Sequence, residues 1–238
     1  MTLYQKLIER KRKWTPVQMT AGKLKEGAEE AVFRALALRQ LELPVGEFIA
    51  DALNNEVPTE ARKLLTMNVT DEENHDLALS YAAQAHGTID SAEHEATILR
   101  QAWESHPDHT VLKAMVLERA VFFVLLPFFR FCGDAGLRSL SADISRDEQI
   151  HVATNSLVAN ELGLTYSPSL DKLRKATVAW VMEPLEGSET DRFLQKKFWL
   201  DSSDRLMYEG KAPNLSVTKS ARMPAFFEHN NVNLPQYA

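Results

Sequence analysis

The sequence predicts an all-α fold, and two observations support this prediction. Only 9 glycines and 10 prolines interrupt the 238 residues, so long stretches hold no residue that ends a helix. Runs of alternating apolar and polar residues, which half-buried strands produce, are scarce. A hydrophobic fraction of 45% is enough for a substantial core, and the length suits one domain with or without a tail.

Start and stop signals divide the chain into predicted helices. Pro44 is expected to bend the first of them, and the capping-box pattern at Thr70 allows the second to begin there instead of at Thr59. Gly87 and Gly163 are natural stops after the second and fifth helices. The predicted helices span 25–54, 59–86, 91–103, 110–131, 137–162, 169–182 and 189–208.

The last part of the chain differs in character from the rest. From Gly210 onward, prolines and polar residues predict an extended and flexible segment. We therefore expect a helical domain over residues 1–209 and a tail over residues 210–238.

Charge and cysteine content favour a cytoplasmic protein. The net charge of −6 offers no basic surface for phosphate backbones, so we do not expect nucleic acid to be a direct partner. The single cysteine, Cys132, cannot form an internal disulfide, which fits a reducing compartment. The first residues lack the apolar core of a signal peptide. The most apolar stretch, 121–131, is too short for a membrane span and holds Pro127 and Arg130.

A short motif, Glu-x-x-His, carries the chemistry. It occurs at Glu72–His75 and at Glu148–His151, and nowhere else in the chain. Residues three apart on a helix share a face, so each carboxylate and imidazole can ligate one metal site. One such motif alone is more often a surface glutamate beside a core histidine. Two, each on a predicted helix, favour a metal centre.

Two further carboxylates complete the pattern. The residues three and four positions from Glu118 are all apolar, so its carboxylate projects from a buried stripe and needs a cation there. Glu42 is the counterpart on the first helix, although Pro44 leaves the helix phase open and Glu47 is an alternative. Glu42 precedes Glu72 by 30 residues, and Glu118 precedes Glu148 by 30.

This order of groups is typical of a four-helix dimetal-carboxylate bundle. The predicted ligands are Glu42, Glu72, His75, Glu118, Glu148 and His151. Oxygen-rich ligation with two imidazoles suits iron or manganese. The remaining histidines lack a partner pattern and are expected on the surface or in loops: His86, His94, His106, His109 and His229.

The run Ile144–His151, which contains Arg-Asp-Glu-x-x-His, resembles the fourth-helix motif of the small, radical-generating subunit of class I ribonucleotide reductase. Trp14-Thr15-Pro16 resembles the Trp-x-Pro that precedes the first ligand helix in that family. The resemblance implies a ferritin-like fold and a homodimer. It also implies a hydrogen-bonded chain of Trp14, Asp147 and His75, along which an electron and a proton move. The alternative for Trp14 is simple core packing.

The resemblance gives the tail a purpose. The family's small subunit ends in a flexible segment that docks on the large catalytic subunit and carries a tyrosine that relays the radical. Tyr237 is the corresponding candidate here, with Tyr208 as the weaker choice. The complex would reduce ribonucleoside diphosphates or triphosphates. The alternative is a frayed terminus without a role.

One departure from the family pattern bears on the metals. The usual radical tyrosine lies four residues after the first ligand histidine, and that position is Leu79 here. Leucine cannot hold a radical, so the metals themselves are expected to store the oxidising equivalent, as manganese–iron or dimanganese, with di-iron also open. In being compact and lacking this tyrosine, the chain resembles the small subunits encoded by cyanobacterial viruses (phages). Leu79, Val121, Phe122 and Leu125 are expected to line a dry pocket beside the metals.

Two other functions remain open on sequence grounds. The ligand order also resembles ferritin-like oxygenases such as the aldehyde-deformylating enzymes, which need an apolar channel rather than a docking tail. Iron storage, or a purely structural helical bundle, is the third alternative.

Overall fold

Helices form every regular element in the residues that this computed structural model describes, which are 1–55, 57–185 and 190–211. The all-α prediction is therefore confirmed for these ranges. No helix within them is both long enough and apolar enough to span a membrane. The α-helices are α1 Leu3–Arg10, α2 Glu29–Ala37, α3 Glu42–Asn54, α4 Thr59–His86, α5 Asp90–Glu104, α6 Thr110–Leu117, α7 Phe123–Cys132, α8 Ala135–Glu161, α9 Pro168–Met182 and α10 Lys196–Glu209.

Four helical columns enclose the centre of the molecule. The columns are α3, α4, α8, and α6 followed by α7. α4 packs against α3 and α8, and α6 packs against α8 and α3, which closes the bundle. α4 and α8 run antiparallel, because His75 lies beside Asp147 while His151 lies beside Asp71. The two Glu-x-x-His motifs therefore occupy the middle of neighbouring helices and face each other.

The first predicted helix, 25–54, is in fact two helices. A 3₁₀ turn at Leu38–Leu41 separates α2 from α3, so the bend lies ahead of Pro44 rather than at it. Proline lacks the N–H that would bond the carbonyl four residues earlier, which is that of Gln40. The 3₁₀ turn lies where that bond is missing. Pro44 itself is in the first turn of α3, where the backbone N–H has no partner within the helix and is not needed.

Other helix boundaries also differ from the predictions. α4 runs unbroken from Thr59, so Thr70 does not restart it. The helix predicted over 110–131 contains a π-helical turn at Glu118–Phe122. The helix predicted over 189–208 begins at Lys196, after a 3₁₀ turn at Arg192–Leu194, and residue 189 lies outside the described residues.

The sequence reading missed α1 and misplaced one histidine. A capping box between Thr2 and Gln5 starts α1, and this pattern was available in the sequence.

His86 was expected at the surface, but its side chain is 3% exposed and lies 3.2 Å from Asp134 Oδ2. That carboxylate is buried at the start of α8, where it needs partners. Gly87, with φ of 85°, ends α4 as predicted.

Candidate metal centre

The six predicted ligand residues meet in the middle of the bundle. Glu42 comes from the first turn of α3, and Glu118 begins the π-helical turn that follows α6. The remaining residues lie midway along α4 and α8. Glu42 is 2% exposed and the other five are fully buried. Glu47 is exposed, so Glu42 is the first-helix carboxylate that lies in the cluster.

Two of the glutamates lie between the two imidazoles. Glu72 places Oε2 3.2 Å from His75 Nδ1 and Oε1 2.9 Å from His151 Nδ1. Glu148 places Oε1 3.3 Å from His75 Nδ1 and Oε2 3.8 Å from His151 Nδ1. Each of these carboxylates therefore reaches both histidines with different oxygens.

The other two glutamates each belong to one end of the cluster. Glu42 Oε2 lies 3.7 Å from His75 Nδ1. Glu118 Oε1 lies 3.8 Å from His151 Nδ1, and its Oε2 accepts a 2.7 Å hydrogen bond from Asn155 Nδ2. The His75 end thus contains Glu42, and the His151 end contains Glu118.

Buried polar atoms without hydrogen-bond partners show that these residues fit a metal ion. Among the described residues, they include Glu42 Oε2, Glu72 Oε1, Glu118 Oε1, both carboxylate oxygens of Glu148, and His151 Nδ1. Some of these atoms are close to one another, but their angles do not suit hydrogen bonds. An unsatisfied buried carboxylate is costly, and a cation removes that cost. Glu72, His75, Glu148 and His151 offer ligand atoms within 4.8 Å of one another, so this group could hold a metal ion.

The imidazoles take up protons readily in this environment. Burial lowers the pKa of each ring, but the surrounding carboxylates raise it by more. The close carboxylates of Asp147 and Glu148, 3.5 and 3.3 Å from the ring nitrogens, help to bring the pKa of His75 well above its ordinary value. The charge of Glu72 and a hydrogen bond to Asp71 help to raise the pKa of His151 to about 10.

The glutamates divide into two groups. Burial raises the pKa of Glu42 and Glu118 well above the ordinary value, and it also raises the pKa of Glu148. Neighbouring carboxylates add to the effect. Glu72 differs because it lies close to both imidazoles. Burial acts to raise its pKa, but the charge of the nearby His151 and the hydrogen bond with His75 lower it. The cluster therefore attracts positive charge, whether as protons or as metal ions.

A hydrogen-bonded chain leads outward from His75. Its Nε2 lies 3.5 Å from Asp147 Oδ2, and Trp14 Nε1 donates a 2.5 Å hydrogen bond to the same oxygen. The ring centroids of Trp14 and His75 are 6.3 Å apart, and the planes of the two rings are inclined by 26°. Burial acts to raise the pKa of Asp147, but its hydrogen bonds to His75 and Trp14 lower it. The three residues named from the resemblance are thus in contact.

The structure adds three residues that the sequence reading missed. Asp71 Oδ2 lies 2.9 Å from His151 Nε2, Lys11 forms an ion pair with Asp71, and Asn155 bonds Glu118. A signal for Asp71 was present, because both motifs extend to Asp-Glu-x-x-His, with Asp71 before Glu72 as Asp147 precedes Glu148. Lys11 and Asn155 carry no comparable signal.

The apolar residues predicted to line the pocket lie in the core, whereas the tyrosine of α10 lies at the surface. Leu79, Val121, Phe122 and Leu125 are all buried. Tyr208 is half exposed, and its hydroxyl group donates a hydrogen bond to Asp171 on α9, away from the cluster. Tyr237, His229 and nearly all of the tail lie outside the described residues.

No protein family model, curated protein or solved structure matches this chain. Over the described residues, fold and site together define a helical protein whose buried group of glutamates and histidines could hold a metal ion.

Proposed function

We propose that this protein has a ferritin-like fold, holds a dinuclear metal centre and acts as the small subunit of an aerobic ribonucleotide reductase. Its role would be to generate an oxidising equivalent and pass it to a large subunit that makes deoxyribonucleotides. The observation that carries the proposal is the chain from His75 through Asp147 Oδ2 to Trp14. A bundle that only stored iron would have no need of it.

The symmetry of the cluster supports two ions rather than one. Glu72 and Glu148 each face both imidazoles, while Glu42 and Glu118 lie at opposite ends. Four carboxylates also carry enough negative charge to balance two divalent cations. One imidazole, one end carboxylate and two shared carboxylates would then serve each ion. Such ligand sets suit iron and manganese.

The absence of a tyrosine at Leu79 favours a manganese–iron or dimanganese pair over di-iron. When bound, such a pair supplies an oxidising equivalent obtained from oxygen or a reduced oxygen species. Leu79 is buried one turn beyond His75, and Val121 and Phe122 are buried on the π-helical turn that Glu118 begins. Apolar side chains there would keep water and stray reductants from the centre.

The residues outside the centre would transfer the oxidising equivalent from the metals toward the large subunit. Asp147 lies against Nε2 of His75 and accepts a hydrogen bond from the indole N–H of Trp14, so it fixes the relative positions of the two rings. An electron leaving Trp14 toward the metals could be accompanied by a proton shift along the same hydrogen bonds. Tyr237, on a tail that docks on the large subunit, would pass the oxidising equivalent onward to a cysteine of that subunit.

The test is reconstitution with the cognate large subunit. The protein is loaded with manganese and iron, with manganese alone, or with iron alone, and formation of deoxynucleotides is assayed. We expect activity with at least one manganese-containing loading and none without metal. No activity under any loading would overturn the proposal.

Truncation before Met223 separates this function from a ferritin-like oxygenase. Loss of the tail should abolish ribonucleotide reduction, because docking fails, yet leave the metal content unchanged. A truncated protein that keeps an oxygen-dependent activity on a fatty aldehyde would support the oxygenase instead. A cage-sized assembly in solution would indicate storage.

A further inference from the structure

A short segment without helical structure crosses the outer side of the metal centre. It follows α1 and brings Lys11 and Trp14 to opposite ends of the cluster. Lys11 forms an ion pair with Asp71 Oδ2, and its Nζ lies 3.2 Å from His151 Nε2. The Lys11 side chain is only 4% exposed, so solvent screens its charge poorly.

At both ends of the cluster an aspartate lies beside the imidazole, but the residue that pairs with this aspartate differs between the ends. Asp147 stands behind His75 and Asp71 stands behind His151. The third member is the neutral indole of Trp14 at one end and the ammonium group of Lys11 at the other. Arg12 also approaches Asp147, but its Nε is 3.9 Å from Oδ1 and its side chain is 29% exposed. The cation nearest to an imidazole is therefore at the His151 end.

This difference weakens the His151 end as a cation site. A buried ammonium group repels a divalent ion close by, and it also neutralises the Asp71 carboxylate that would make His151 a stronger donor. The hydrogen bond from Asn155 to Glu118 Oε2 withdraws electron density from the end carboxylate on the same side. Glu42 and Glu118 each have one buried oxygen without a donor among the described residues, so the ends differ in the second oxygen, which accepts a hydrogen bond from Asn155 in Glu118.

We propose that Lys11 makes the two ends of the centre unequal, so that the first metal ion binds at the Glu42–His75 end and the second, more weakly, at the Glu118–His151 end. The inference rests on the proposed dinuclear centre. Its chemical consequence is ordered loading, which allows one chain to hold two different metals in defined places. Lys11 is then a positioning residue that sets the order in which the two ends are loaded without touching the metals.

The experiment titrates the metal-free, full-length protein with manganese(II) alone, without oxygen, and measures two stepwise affinities. Crystals with one equivalent of manganese locate the first ion by anomalous scattering. We expect the first ion at the Glu42–His75 end. In Lys11→Met, the affinity of the second step should rise about 10- to 100-fold, while the first changes much less. A lysine with a merely structural role would weaken binding when removed, so the sign distinguishes the two.

Matched variants serve as controls. Lys13→Met removes the same charge from an exposed neighbour on the same segment and should leave both steps unchanged. Lys11→Arg keeps the charge and should keep the weak second step. Lys11→Gln provides a second neutral variant if Lys11→Met does not fold.

Three outcomes would overturn the inference. They are a first ion at the Glu118–His151 end, equal affinities in the wild type, and an unchanged ratio of affinities in both Lys11→Met and Lys11→Gln. In these cases the dinuclear centre itself would stand. A wild-type protein that binds no manganese would overturn the centre and this inference together.

Discussion

The imidazole ring centroids of His75 and His151 lie 5.6 Å apart, the ring planes are inclined by 31°, and Nδ1 of both rings points toward Glu72. Because α4 and α8 run antiparallel, the same four-residue motif reaches the shared space from opposite directions. Glu72 and Glu148 therefore lie between the rings, and each imidazole keeps Nε2 for an outer carboxylate. This arrangement underlies each of the expectations about metal binding.

Removing a shared glutamate should affect both ions, and removing an end glutamate should affect one. We expect Glu148→Ala to weaken both steps of manganese binding by more than about 100-fold, beyond the usual effect of an outer partner. Glu42→Ala should weaken only the step at the His75 end. Glu47→Ala, on the exposed side of α3, is the control and should bind two ions normally. Equal losses in Glu148→Ala and Glu42→Ala would contradict the division into shared and end carboxylates.

Metal binding should strengthen as the pH rises. The pKa of His151 is raised to about 10, and those of His75, Glu42, Glu118 and Glu148 are also raised, so the metal-free site holds protons near neutrality. Each ion must displace protons, which makes the apparent affinity increase by at least about tenfold per pH unit. Manganese titrations at pH 6, 7 and 8 measure this. An affinity independent of pH would show that the site binds without losing protons.

Trp14→Phe and Asp147→Asn should separate metal binding from radical transfer. Phenylalanine keeps the apolar contacts of Trp14 but removes the N–H that bonds Asp147, and asparagine removes the charge between the two rings. We expect both variants to bind two metal ions and to lose deoxynucleotide formation by at least about 100-fold (~3 kcal/mol). The measurements are metal content and activity with the large subunit. Full activity in Trp14→Phe would leave the indole with a packing role only.

Asp134 should stabilise the start of α8 in a pH-dependent way. Its carboxylate accepts hydrogen bonds from the N–H groups of Leu137 and Gly22 and pairs with His86. Burial acts to raise its pKa, but these partners lower it. Because the folded pKa is depressed, the contribution is present above the unfolded value of about 3.9 and is lost as the pH falls through the folded value.

We expect Asp134→Asn to lower the free energy of unfolding by about 1–3 kcal/mol near neutral pH. The difference from the wild type should shrink below about pH 4. Thermal unfolding over pH 3 to 7 measures it. Asp201→Asn is the matched control, since its exposed pair with Lys197 should contribute about 0.5 kcal/mol or less. A pH-independent difference would mean that the charge of Asp134 has no part in the effect.

The sequence allowed the helices and the inner residues of the cluster to be predicted because both follow local rules. Residues three apart on a helix share a face, and a glutamate among apolar neighbours has few explanations other than a cation. Asp71 could also have been found, since it repeats the position of Asp147. Spacing within a helix is a property of the sequence alone.

Features that depend on packing between distant segments were not predictable in this way. Lys11 lies 60 residues from Asp71 and 140 from His151, and nothing local brings them together. His86 was assigned to the surface for the same reason, since its partner Asp134 belongs to another helix. The π-helical turn after Leu117 packs against α8 and α10, and no residue within Glu118–Phe122 is one that breaks helices, so the local sequence carried no signal for it.

The central claim is that four glutamates and two histidines hold two metal ions. It is tested most directly by anomalous scattering from crystals grown with manganese and iron, with data collected on either side of both absorption edges. We expect two peaks, about 3.5–4 Å apart, with Glu72 and Glu148 between them and His75 and His151 at opposite ends. A single peak, or none within the cluster, would contradict the claim.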